Sequence, residues 1–93
     1  MIKTFKNKAT KRVFQGYFAR EFDSRIQARA EAKLTLIDAA ERIDDLRSPP
    51  SNRLEKLSGD RVGQYSVRIN QQWRICFAWK DGDAYDVEIC DYH

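Results

Sequence analysis

The last three residues, Asp91-Tyr92-His93, set a carboxylate, a phenol and the chain's one imidazole side by side. Imidazole and carboxylate groups move protons near neutral pH. A phenol ring stacks on an unpaired base or orients a phosphate. Upstream, Arg68 and Arg74 stand at polar positions of alternating segments. Guanidinium groups hold a phosphate in two-pronged fashion and stabilise charge that builds on its oxygens. Together these residue types suit transfer of a phosphodiester to a ribose 2′-hydroxyl, a reaction that needs no metal in principle. They equally suit blander roles. A terminal His is often incidental, Asp91 and Tyr92 would serve as strand-end packing, and a polar sheet face is what solvent alone selects.

These groups must be positioned by a small scaffold. At 93 residues the chain is expected to form one domain spanning 1–93, with a single core. A hydrophobic share of 42% and an aromatic share of 12% of the chain are enough for that core and argue against a disordered chain. No apolar run approaches the roughly 20 residues of a membrane span, so no membrane partner is expected. The opening Met1-Ile2-Lys3-Thr4-Phe5 has no apolar leader, which makes the cytoplasm the expected location. Cys76 and Cys90 form no CxxC pair, and one His completes no zinc set, so neither a metal nor another cofactor is expected. Two unpaired thiols fit a reducing compartment, and a disulfide would require their strands to be neighbours.

The net charge of +3 is compatible with a nucleic-acid partner without demanding one. The excess lies early: residues 1–51 carry 11 Lys/Arg against 7 Asp/Glu, and residues 52–93 carry 6 against 7. Lys3, Lys6, Lys8, Lys11 and Arg12 make a basic start, readable as a solvated helix face or as phosphate contact.

Residues 2–5 are β-compatible. Ala9, Val13, Phe14 and Phe18 recur near helical spacing and predict a helix over 8–18, weakened at Gly16. Ser24 is the expected N-cap of a long helix over about 25–46, whose stripe of Ile26, Ala30, Leu34, Ile37 and Ala40 or Ile43 faces the core. Pro49-Pro50 ends it in a rigid, extended connector. The period then switches to two. A short extended piece carries Leu54 and Leu57. Tyr65, Val67 and Ile69, then Trp73, Ile75, Phe77 and Trp79, then Tyr85, Val87 and Ile89 line one apolar face, with Asp81-Gly82 as a hairpin turn. The expected fold class is α+β, with two N-terminal helices packed on one face of a small antiparallel sheet. The other face should carry Gln64, Ser66, Arg68, Arg74, Cys76, Asp86 and Glu88.

The stretch Arg53-Leu54-Glu55-Lys56-Leu57-Ser58-Gly59-Asp60-Arg61, followed by Gly63-Gln64-Tyr65-Ser66-Val67-Arg68-Ile69-Asn70 and Gln72-Trp73-Arg74-Ile75-Cys76-Phe77, resembles the HigB branch of the RelE-like toxins. So do the opening five residues and the closing Asp91-Tyr92-His93, so the likeness runs over essentially the whole chain. It implies a toxin of a type II toxin–antitoxin system that cuts mRNA in the ribosomal decoding site. Cutting is by 2′-hydroxyl attack without metal, and leaves a cyclic phosphate and a free 5′-hydroxyl. It also implies neutralisation by a HigA-like helix-turn-helix antitoxin, through which alone the toxin would reach operator DNA.

Carried over residue by residue, the resemblance makes His93 a proton-transfer group, Tyr92 an orienting group and Asp91 a positioning group. Arg68 falls where relatives keep a phosphate-binding arginine. Arg74 is a second candidate of that kind, or else a partner for a carboxylate such as Glu88. Arg53, Lys56 and Arg61 in the matching stretch are RNA-binding candidates. There is one departure: some relatives carry a His and a Lys where Glu55 and Ser58 stand here. Glu55 would then replace the imidazole as base, and Lys56, one register away, would point to the opposite strand face. The rival readings are a ParE-like toxin that inhibits DNA gyrase without cutting RNA, and a non-catalytic interaction module.

Overall fold

The computed structural model describes residues 1–91. Two helices, α1 (Lys8–Phe14) and α2 (Gln27–Ala39), precede four strands: β1 (Glu55–Lys56), β2 (Gln64–Arg68), β3 (Trp73–Lys80) and β4 (Asp83–Asp91). The strands form one antiparallel sheet in the order β1-β2-β3-β4. The α+β expectation holds, with both helices on one face. Val13 from α1 and Leu34 and Ile37 from α2 share a core with Val67, Ile75, Phe77 and Val87.

The first residues pair in parallel with the outer edge of β4, through bridges at Ile2–Ala84 and Phe5–Val87. Beyond them the buried Thr10 hydroxyl accepts from Ile89 N at 3.0 Å. An edge that would otherwise offer unpaired N–H groups is thereby satisfied within the chain. Asn7 caps α1 by accepting from Thr10 N at 2.8 Å. The helix stops at Phe14, and Phe18, expected on its apolar face, is exposed. Gly16, at φ +87°, turns the chain away.

The second helix differs from expectation at both ends. Asp23, not Ser24, caps its entry, accepting from Arg25 N at 2.9 Å, and Ser24–Ile26 is a 3-10 turn leading in. The helix ends at Ala39, well short of 46. No Gly or Pro stops it there. Instead Ala40 turns extended and buried, and the Asp45 carboxylate accepts from Glu41 N and Arg42 N at 3.0 Å each. That cap starts a second short turn, Ile43–Arg47, which drops Leu46 into the core. Burial of Leu46 outweighs helix propensity over this stretch.

The Pro49-Pro50 connector is also not extended: Pro50–Asn52 is a 3-10 turn. Asn52 is buried and fully engaged. Its amide donates to Leu46 O at 3.1 Å and Ser48 O at 3.2 Å, and its oxygen accepts from Lys33 Nζ at 2.5 Å. This knot ties the turn to α2 and delivers Arg53, in left-handed conformation at φ 43°, to the start of β1.

The β3–β4 hairpin turns at Asp81-Gly82 as expected, both at positive φ. Further along β4 lies a bulge. Cys76 pairs with Glu88 but Ala78 pairs with Tyr85, and Asp86 sits at φ 53°. The extra residue shifts the alternation. Ala84, Val87 and Ile89 are buried in the core, while Tyr85 turns to the opposite face beside Ala78 and Gln64. Tyr85 was expected with Val87, and Asp86 on the polar face; the bulge moves both.

Candidate functional site

The sheet face away from the helices reads, across the strands, Gln64–Ala78–Tyr85, then Glu55–Ser66–Cys76–Glu88, then Arg68–Arg74–Cys90. It is polar, as expected, but its centre is closed: Ser66 and Cys76 are wholly buried. Arginine side chains lie over them.

At one end Arg61, from the turn Gly59–Arg61, reaches back over the sheet. Its Nη1 donates to Gln64 Oε1 at 3.0 Å and to Glu88 Oε2 at 3.3 Å, and Lys6 Nζ is 3.2 Å from the same Glu88 oxygen. Glu88 thus serves two cations. Burial works against the Arg61 cation, but the charges that Cys76 and Cys90 can carry, and then the Glu88 carboxylate, outweigh it and raise its pKa.

At the other end the balance is reversed. A groove of about 540 Å³ is lined by Arg53, Leu54, Glu55, Arg68, Asn70, Gln71 and Arg74. Among the described residues it brings together three guanidinium groups and one carboxylate. Arg74 is the floor. Its side chain is 11% exposed, its Nε donates to Ser66 Oγ at 2.8 Å, its Nη2 donates to Arg53 O at 2.9 Å, and Glu55 Oε2 lies 4.0 Å away. Glu88 was the example of a carboxylate that Arg74 would pair with if it did not bind phosphate; Arg61 takes Glu88 instead, and the carboxylate near Arg74 is Glu55. Arg68 is oriented by a single described bond, Nε to Asn70 O at 3.0 Å. That bond orients the guanidinium of a residue that lines the groove. Glu55 is more than half exposed and shares the groove with the arginines.

The groove's wall is the β2–β3 turn. Asn70 Oδ1 accepts from Gln72 N at 2.8 Å and Trp73 N at 2.7 Å, and so shapes the turn that presents Asn70 and Gln71. Neither residue was singled out from sequence. The signal was there, since a polar Asn-led turn between two alternating strands commonly bonds its own backbone.

Of the sequence candidates, Arg53, Glu55, Arg68 and Arg74 come together. Lys56 is exposed on the opposite strand face from Glu55, in register with Tyr65. Arg61 sits at the closed end. Asp91 ends β4 in register with Trp73, and its Oδ2 accepts from Gln72 Nε2 at 3.0 Å, on the outside of the groove wall. Its neighbour Cys90 pairs with Arg74, so the last stretch of β4 before Asp91 runs beside the groove. Tyr92 and His93 lie outside the described residues. Among the described residues no group of three His, Cys, Asp or Glu is placed to hold a metal ion, and no helix is long and apolar enough to cross a membrane. Cys76 and Cys90 are on adjacent strands and remain free thiols. Chemically, the open end can bind a phosphodiester between Arg68 and Arg53 and present it to a carboxylate.

A model of RelE-like toxins of the type II toxin–antitoxin system HigB matches residues 3–93. A Proteus vulgaris protein named Endoribonuclease HigB is 36% identical over all of both chains. Toxin HigB-1 of Vibrio cholerae is 46% identical over 57 residues, covering 61% of this chain and 60% of that one. Among solved structures, the toxin–antitoxin complex YoeB–YefM of Staphylococcus aureus contains a chain with the same fold. Its TM-score is 0.62 at 18% identity, over 100% of this chain and 98% of that one. The YoeB dimer from the same organism gives 0.61 at 20% identity, over 99% and 97%.

Proposed function

This chain belongs to the HigB-like family, the RelE-like toxins of type II toxin–antitoxin systems, and we propose that its arginine-lined groove cuts mRNA in the decoding site of the ribosome. The observation that carries the reading is that, among the described residues, Arg53, Arg68 and Arg74 come together with one carboxylate, Glu55, in a single open groove. The whole chain, residues 1–93, acts as one domain in the cytoplasm, where its target is.

The reaction proceeds without metal. The 2′-oxygen attacks the adjacent phosphorus and the P–O5′ bond breaks, leaving a 2′,3′-cyclic phosphate and a 5′-hydroxyl. Glu55 takes the 2′-hydroxyl proton, and His93 returns one to the departing 5′-oxygen. Arg68 and Arg53 bind the non-bridging oxygens and stabilise the charge they gain in the transition state. Arg74, held by Ser66 and Arg53 O, keeps the groove floor in place and adds positive charge. Tyr92 stacks on or orients the exposed base, and Asp91 positions the terminal segment. Single-stranded RNA suits so shallow a groove, because its bases are free to stack and its backbone to bend. The ribosome supplies such a strand, held in place.

A HigA-like helix-turn-helix antitoxin neutralises the protein, and contact with operator DNA runs through that partner. The test is to add purified protein to a translating ribosome extract and map mRNA ends. Cuts carrying a 5′-hydroxyl support the reading; intact mRNA under conditions where translation proceeds sinks it.

A further inference from the structure

The groove does not end at Arg68. Past Asn70 and Gln71 it continues over Ile69 to α2, where a recess of about 340 Å³ is lined by Arg29, Lys33, Ser51 and Ile69. Arg53, Arg68, Asn70 and Gln71 line both the main groove and the linking stretch, and Arg29, Ser51 and Ile69 line both the link and the recess. The two are therefore one continuous track around the end of the sheet.

The recess has an uncompensated charge. Lys33 is buried, and its Nζ donates to two neutral oxygens, Asn52 Oδ1 at 2.5 Å and Ser51 Oγ at 3.4 Å. Arg29 donates to another neutral oxygen, Ile69 O, at 3.3 Å. No carboxylate of the described residues is within ion-pair distance of either. The nearest acid lining an adjoining recess, Asp23, is held by Arg25 at 2.7 Å. Burial, and then repulsion from Arg29, depress the pKa of Lys33. Two cations kept together and partly dry, without an anion, favour binding one. The donors are ready: the ammonium has a third N–H, and Ser51, by accepting from Lys33, keeps its own hydroxyl proton for an acceptor.

We propose that the Arg29–Lys33–Ser51 recess is a second phosphate subsite, which takes a backbone phosphate of the same RNA strand flanking the one held at Arg68. This inference rests on the RNA-cutting reading of the main groove and extends it along the strand. The subsite fixes the strand's direction across the protein and adds affinity without reading bases.

Arg29 is exposed and carries the test, because Lys33 also holds the Asn52 turn in place. The full chain is titrated with a single-stranded RNA hexanucleotide across a range of salt concentrations. Arg29→Gln is expected to bind about 10-fold more weakly at low salt, with a log–log salt slope shallower by about 0.7, the loss of one phosphate contact. Arg29→Lys should recover the slope, which a merely structural role would not require. An unchanged slope and affinity for Arg29→Gln overturn the proposal. So does a loss confined to an oligoglutamate peptide, which would assign the recess to an acidic protein segment. Ribosomal mRNA cleavage by the unaltered protein separates the two claims. Cleavage with an unchanged Arg29→Gln slope removes only the subsite, whereas an Arg29-dependent slope without cleavage removes only the nuclease reading.

Discussion

The two ends of one sheet face use the same residue types to opposite effect. At the closed end, Arg61 and Lys6 converge on Glu88, with Gln64 completing the set. The two cations there share one close carboxylate, whose strand partner is the buried Cys76. At the open end, the one carboxylate that the described residues bring to Arg53, Arg68 and Arg74 is Glu55, which is 4.0 Å from Arg74 and largely in water. A polyanion entering the closed end would have to displace Glu88. At the open end it meets donors already aimed by Asn70 O and Ser66 Oγ. An arginine count does not locate a phosphate site. What locates it is positive charge whose orientation is fixed by neutral oxygens and whose counter-charge is left for the ligand.

The largest effect expected from this contrast is at Arg68. Arg68→Ala should lower the rate of mRNA cutting in a translating extract by roughly 10²–10³-fold, the scale for losing one preorganised donor at a developing oxyanion. Its melting temperature should stay within about 5 °C of the parent, since its described bond is a single, partly buried one. Full-rate cutting by this variant would break the comparison. Glu55→Ala should cost about 10²-fold in rate if the carboxylate is the base, again with little change in melting. A variant that cuts at the parent rate removes Glu55 from the chemistry.

Arg74 sharpens the contrast, because it belongs to both fold and groove. Arg74→Ala orphans the wholly buried Ser66 hydroxyl and should destabilise the protein by about 1–3 kcal/mol in urea titrations, besides slowing cleavage. A stable, slow variant would make Arg74 purely functional. Glu88→Gln tests the closed end. It should cost about 1 kcal/mol or less, a figure that shrinks with added salt because Lys6 is mostly exposed, and cutting should stay within about 3-fold. A loss like that of Arg68→Ala would show that the closed end also handles RNA.

The smallest effect is on acid stability, far from the groove. Bonds from the Arg25 side chain and then its backbone N–H hold Asp23 down to about 2, and backbone N–H groups of Arg42 and then Glu41 lower Asp45. Folded pKa values below the ordinary 3.8 mean that stabilisation is fully present above about pH 4 and is lost as pH falls toward 2. The melting temperature should therefore fall over that window, and Asp45→Asn should fall less steeply. Asp45 is exposed and Asp23 only partly covered, so the change is small.

Much of the scaffold could be read from residue order. The α2 stripe of Ala30, Leu34 and Ile37, the strands around Val67 and Ile75, and the Asp81-Gly82 turn all stand as expected. What escaped were places where tertiary contacts override local pattern. Leu46, beyond the last helical residue Ala39, ends the long helix, Asn52 curls the proline segment, and the bulge at Asp86 reverses Tyr85. The site was half legible. Alternation put Arg68 and Arg74 on one face, and the likeness to known toxins added Arg53 and Glu55. Which carboxylate served which arginine depended on strand register and on a turn folding back. One-dimensional spacing does not encode those, so Glu88 stood as an example of a partner for Arg74 and not for Arg61. Arg29 was not singled out from sequence, because its neighbours in the recess, Ser51 and Ile69, are distant along the chain.

The most direct test of the central claim is to incubate the unaltered protein with ribosomes stalled on a defined mRNA, and to run a gyrase supercoiling assay with the same preparation. The account predicts mRNA cut within the decoding site, ending in a 2′,3′-cyclic phosphate and a 5′-hydroxyl, with supercoiling untouched. Intact mRNA together with blocked supercoiling would contradict it.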